Sequence, residues 1–139
     1  MFERFFAQKF PASKRFGLEG CEALIPGLQA GCARLAVHGV QRVEIGMAHR
    51  GRLNVLHNLL DKSLGALCSE MEGHQSEFHV GDVKYHLGQT CLKQMGEGRE
   101  LHLSIAPNPS HLEMVNPVVL GLVRALQVIP QRCAAGFLF

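Results

Sequence analysis

Two short apolar runs, VEIGMA (43–48) and LHLSIA (101–106), most constrain what this chain can fold into. Each is short and rich in aliphatic residues, as a buried strand is. The first extends over Val40 to Ala48 as a strand with a buried half, the second over Leu101 to Ala106. Stretches with helical spacing surround them. Helices that alternate with strands predict an α/β layer fold with a parallel sheet and helices flanking it. In such sheets ligands gather beyond the carboxyl ends of the strands. Both runs end in polar motifs at that place: His49-Arg50 after the first, Asn108-Pro109-Ser110-His111 after the second.

The helical stretches follow from spacing and punctuation. Residues 3–10 form a short amphipathic helix with Phe5, Phe6 and Phe10 clustered and Pro11 at its end. Residues 19–37 repeat apolar side chains at Leu24, Ile25, Leu28, Cys32, Leu35 and Ala36, with Pro26, Gly27 and Gly31 expected to weaken or kink the helix and Gly39 to stop it. Leu53, Leu56, Leu59 and Leu60 fall on one face of a helix from Arg52 to Leu60. Residues 61–80 hold a short helix and then a polar loop, and 83–88 are ambiguous. Val118 to Leu126 is an apolar helix, and the tail VIPQRCAAGFLF has no clear period.

Composition narrows the classes of function. A length of 139 residues suits one domain, and no apolar run is long enough to span a bilayer. A net charge of +2, one tyrosine, no tryptophan and no basic stripe argue against a nucleic-acid partner. Five cysteines without a CxxC pair point to reduced, mostly buried thiols and give no metal-ligand spacing. No GxSxG elbow, P-loop or GxGxxG is present.

Three polar motifs carry chemistry. In HRGR (49–52), Arg50 offers a planar fork of donors to a carboxylate or phosphate, Gly51 lets the backbone turn tightly, and His49 donates a hydrogen bond or moves a proton near neutral pH. The helix starting near Arg52 would add amide donors to an anion. The same pattern reads equally as a surface turn with solvated arginines. In GDVKYHLG (81–88), His86 is a donor to a substrate oxygen or a satisfied histidine in a glycine-bounded loop, and the second reading is favoured on pattern alone. In NPSHLE (108–113), Ser110 and Glu113 fit a capping box, or Ser110 and the amides after it hold an anion. His38, His57, His74, His79 and His102 have no convergent partners in the sequence and read as structural or exposed.

Taken together, KRFGLEG (14–20), IGMAHRGRLNVL (45–56), GDVKYHLG (81–88) and NPSHLEMVNPVVLG (108–121) resemble, in order and spacing, the thiamine-diphosphate-dependent decarboxylating component of the 2-oxoglutarate dehydrogenase family. The resemblance spans residues 2 to 127, so 1–127 is expected to be a fragment of the thiamine-diphosphate-binding catalytic domain and 128–139 a divergent tail. It places the basic, aromatic start, MFERFFAQKFPASKRF, in the family's own segment rather than in a mitochondrial transit peptide.

The resemblance implies oxidative decarboxylation of 2-oxoglutarate in the tricarboxylic acid cycle, with thiamine diphosphate and magnesium as cofactors. The succinyl group then passes to a lipoyl-bearing succinyltransferase, with dihydrolipoyl dehydrogenase completing the complex and a homodimer as the family's assembly. By the same resemblance His49 and His86 are the catalytic pair lining the substrate site. Arg50 and Ser110 contact substrate and cofactor, Leu112 contacts the cofactor, and Arg52 is structural. The family's usual serine is Thr90 here, and Met114 and His57 replace smaller residues. The family's Gly-Asp-Ala motif, whose Asp holds magnesium with a later Asn, is absent from this sequence, so no metal ligand is assigned. The activating glutamate of the pyrimidine-binding domain is missing too. The isolated chain is therefore expected to be inactive, with the strands VEIGMA and LHLSIA left partly uncovered. Alternatives are a relative preferring 2-oxoadipate, which is one methylene longer, and a non-catalytic remnant that only binds. The expected compartment is a bacterial cytoplasm, with the mitochondrial matrix as the alternative.

Overall fold

In a computed structural model of the chain, residues 1–73, 85–107, 113–128 and 134–138 are described. The two apolar runs form β1 (Arg42–Gly46) and β3 (Glu100–Ile105), paired in parallel with Val43 opposite Leu103 and Ile45 opposite Ile105. Both strands sit in the interior of a four-stranded sheet of order β2-β3-β1-β4. β2 (Gln89–Gln94) runs antiparallel to β3, and β4 (Ala134–Leu138) runs parallel to β1. The fold is α/β, as expected, but the sheet is mixed rather than purely parallel.

Two further corrections concern this sheet. The tail, which shows no period in sequence, supplies β4. Five residues leave little room for a pattern, and AAGFL has small residues where alternation would otherwise be visible. The strands expected to be left uncovered are paired on both edges, and Val43, Ile45, Leu101, Leu103 and Ile105 are all buried.

Four helices cover one face. α1 (Phe2–Lys9), α2 (Leu24–Val37), α3 (Arg52–Asn58) and α4 (Leu64–Glu72) contribute Phe6, Leu28, Cys32, Leu53, Leu56, Leu67 and Met71 to the core that includes Val43, Ile45, Leu101 and Leu103. Pro26 leaves α2 unbroken because it stands in the first turn, where an amide has no intrahelical partner to lose. Gly39 ends the helix in the left-handed region at φ +81°. Ser63 caps α4 through its hydroxyl, which accepts the Ala66 amide at 3.1 Å.

The other face carries less. α5 (Val115–Val128) packs Val115, Val119 and Val123 near Ala106, and a Cβ at Gly136 of β4 would stand 3.0 Å from Val123. On the same face buried Glu44 accepts from Arg42 at 2.8 Å. The outward side of α5 exposes Val118, Leu120, Leu122 and Val128, so exposed apolar side chains gather on this helix and not on β1 or β3, with Leu92 of β2 exposed as well.

Candidate functional site

β1 ends at Gly46, and the chain turns through His49 and Arg50 before α3 begins. Gly51 caps that helix in the left-handed region at φ +77°. Its amide donates to the Phe16 carbonyl at 2.7 Å, and an added Cβ would lie 2.4 Å from Leu18 Cδ1. Glycine is therefore required here twice, for backbone conformation and for space. The Arg52 amide donates to the His49 carbonyl at 3.0 Å. That first helical N–H is committed to the turn, which weakens the expectation that it greets an anion.

The His49 ring lies half-buried in an aromatic cluster. Phe16 stacks on it with centroids 4.7 Å apart and planes 19° apart. His86 lies 5.9 Å away at 30°. Buried Tyr85 stands edge-on to Phe16 at 5.3 Å and to His49 at 6.3 Å, and its hydroxyl reaches Met71 Sδ at 3.9 Å. The two histidines, distant in sequence, are thus neighbours at one edge of the sheet. Strand direction explains this. β2 is antiparallel to β3, so its first residue, Gln89, pairs with the last of β3, Ile105. The segment leading into β2 therefore arrives at the carboxyl edge where β1 and β3 end.

Arg50 and Arg52 differ sharply. Arg50 is exposed and donates from Nη1 to the Gly17 carbonyl at 3.2 Å. Arg52 is fully buried. Its Nη1 donates to the Met47 carbonyl at 3.3 Å, and its Nη2 donates to those of Leu87 at 2.9 Å and Ala106 at 2.7 Å. Burial pushes its pKa down to about 10, so it remains a cation at neutral pH. The reading of this motif as a turn of solvated arginines fails for Arg52, while its structural assignment agrees with these bonds.

Ser110 and Leu112, with His111, His74 and His79, lie outside the described residues. His38 is exposed, His102 is half-buried on β3, and His57 stacks on Phe2 at 5.4 Å with its Nδ1 2.8 Å from the Lys62 carbonyl. Among the described residues no group of three or more His, Cys, Asp or Glu side chains is placed to hold a metal ion. Two imidazoles and a guanidinium suit an anionic ligand such as a carboxylate. They offer magnesium none of the carboxylate oxygens it prefers.

Sequence reasoning missed Phe16, Tyr85 and the depth of Arg52. Phe16 holds φ +47°, a conformation that non-glycine residues seldom adopt and that clusters at functional sites. Only Gly17 beside it hinted at unusual backbone. Tyr85, the single tyrosine of the chain, stood in a segment too short to assign.

No family model matches the chain. It is 52% identical over 128 residues, 91% of its length, to the mitochondrial 2-oxoglutarate dehydrogenase of Schizosaccharomyces pombe. It is 51% identical over 126 residues, 90% of its length, to the 2-oxoglutarate dehydrogenase E1 component of Azotobacter vinelandii. The mitochondrial 2-oxoglutarate dehydrogenase of Saccharomyces cerevisiae is 47% identical over 128 residues, 90% of this chain. The chain spans 13% of the length of each of these relatives, which include mitochondrial and bacterial proteins. Over nearly all of its length the chain is thus similar to one stretch of proteins named 2-oxoglutarate dehydrogenase.

Proposed function

We propose that this chain carries one wall of the 2-oxo acid site of a 2-oxoglutarate dehydrogenase decarboxylating component, within a partial thiamine-diphosphate-binding fold. The observation that carries this reading is the pairing of His49 and His86, 5.9 Å apart at the carboxyl edge of the sheet. Both imidazoles can donate to the carboxylate or the keto oxygen of a 2-oxo acid, and the His49 ring is held between Phe16, Tyr85 and His86. Arg50, exposed at the same turn, adds a cationic fork for a carboxylate or a diphosphate. By family resemblance Ser110 and Leu112 join it at the cofactor. The cleavage itself is chemistry that thiamine diphosphate supplies when bound; the residues here bind and orient the substrate. In the complete system the acyl product goes to a lipoyl-bearing succinyltransferase, with dihydrolipoyl dehydrogenase as the further partner and a homodimer as the assembly. The names of the relatives favour 2-oxoglutarate over 2-oxoadipate. The compartment is that of the host, a bacterial cytoplasm or a mitochondrial matrix.

Two measurements test this. Titration with 2-oxoglutarate, followed by NMR, is expected to shift the imidazole signals of His49 and His86, and His49→Ala or His86→Ala to weaken binding about tenfold, the loss of roughly 1.4 kcal/mol. No shift in the unsubstituted chain rejects the reading. With thiamine diphosphate and magnesium, ferricyanide-coupled turnover by the chain alone is expected to stay at the His49→Ala level. Turnover above it means that this wall suffices for catalysis.

A further inference from the structure

Among the described residues Arg52 is the most completely buried charged side chain, at 0% exposure. Burying an ion costs several kcal/mol in general, and an apolar residue of similar size often serves stability as well or better. Arg52 receives little in return. Its three hydrogen bonds all go to neutral carbonyls, and its buried Nε makes none. What distinguishes the three carbonyls is where they stand. Met47 follows the end of β1, two residues before His49. Leu87 is the neighbour of His86 in the segment entering β2. Ala106 follows the end of β3. One rigid, planar group therefore ties together the three segments that meet at the carboxyl edge, and two of its anchors lie within two residues of the imidazoles.

We propose that Arg52 is a positioning residue: its guanidinium fork fixes the spacing of the His49 and His86 rings so that both address one substrate anion. This rests on the reading of those histidines as the 2-oxo acid contacts. Lysine keeps the charge but concentrates its donors on one nitrogen, so it cannot reproduce three bonds from two nitrogens in a plane. A site loosened by about 1 Å loses up to a hundredfold in efficiency.

The test uses the isotope-labelled chain with Arg52→Lys and Arg52→Met, read by NMR. The Phe2–His57 ring contact, at 5.4 Å and on the far end of α3, is the internal control for folding. The expected result is that Arg52→Lys keeps the Phe2–His57 cross-peak, loses the His49–His86 cross-peak, and binds 2-oxoglutarate about tenfold or more weakly. If Arg52→Met does not fold, Arg52→Lys decides. A folded variant that retains the His49–His86 cross-peak overturns the proposal, as does one that loses it with unchanged affinity. Loss of both cross-peaks in Arg52→Lys also overturns it, because Arg52 then holds the fold and not the site. If the unsubstituted chain fails to bind 2-oxoglutarate while the cross-peaks behave as expected, the substrate reading falls and the positioning role stands.

Discussion

The two faces of the sheet are built to different depths. Under α1 to α4, Val43, Ile45, Leu101 and Leu103 are fully enclosed, with Phe6, Leu56 and Leu67 above them. Under α5 the buried set is Ala106, Val115, Val119 and Val123, and the helix turns Leu120 and Val128, each more than 60% exposed, outward. The side chains that shape the candidate site belong mostly to the deep side, although Arg52 also reaches the carbonyl of Ala106, which is in the thin set. Arg52 and Gly51 start α3, Tyr85 is part of the deep core, and Phe16 packs against it. The geometry of the histidine pair therefore rests on the thick layer, while the thin layer contributes mainly a cover for β1 and β4.

A pair of truncations probes the two layers directly. Leu103→Ala is expected to cost about 2–5 kcal/mol, because a fully enclosed site cannot collapse around the cavity. Val119→Ala in α5 removes two methyl groups, fewer carbons than the truncation of Leu103, and should cost roughly 1–2 kcal/mol. Denaturant melts of the two variants measure the gap, and equal losses would show that the thin face is at least as tightly packed as the deep one. The histidine signals sharpen it further: at equal denaturant distance from unfolding, Leu103→Ala should disturb His86 and Val119→Ala should not.

Much of the deep side was legible in the sequence, because it follows from period. VEIGMA, LHLSIA and the leucines of 53–60 state their burial through spacing, and Pro11 and Gly39 mark the ends of the first two helices. The thin side was less legible. β4 is five residues of small and apolar side chains with no alternation to read, and β2 alternates between half-buried and exposed without any strongly apolar run. The site followed the same division. His49 was legible because it follows a strand that announces itself. On pattern His86 was more plausibly a loop histidine, since its placement depends on β2 being antiparallel, and strand direction is a tertiary property. Arg52 looked like its neighbour Arg50, because nothing local distinguishes a guanidinium that points at solvent from one that points at three carbonyls.

A second pair of substitutions separates crowding from backbone strain. Gly51 and Gly39 both hold a left-handed conformation, at φ +77° and +81°. A Cβ at Gly39 meets nothing within 4 Å, whereas one at Gly51 would strike Leu18. Gly39→Ala should therefore cost about 1 kcal/mol, the backbone penalty alone. Gly51→Ala should cost roughly 1–3 kcal/mol more, the ordinary range for overpacking. It should also move the Phe16 ring against His49, since the Gly51 amide and the Phe16 carbonyl share a 2.7 Å bond. Equal costs at the two glycines would mean that Leu18 yields freely and that the turn is not braced from the deep side.

An effect confined to alkaline pH tests whether the enclosure of the deep side is felt by a titrating group. Cys32 in α2 is fully buried, and burial pushes its thiol from 9.0 up to about 11. As pH rises past about 9, the unfolded chain releases the Cys32 proton while the folded chain keeps it. The folded state then binds more protons, so stability falls with rising pH through that window and levels off above about 11. Cys32→Ala removes this contribution, and its stability should decline less steeply between pH 9 and 11 than that of the unsubstituted chain. Urea melts at a series of pH values give both slopes. Parallel slopes would mean that the thiol titrates as it does in water and that the layer over β1 admits solvent to α2.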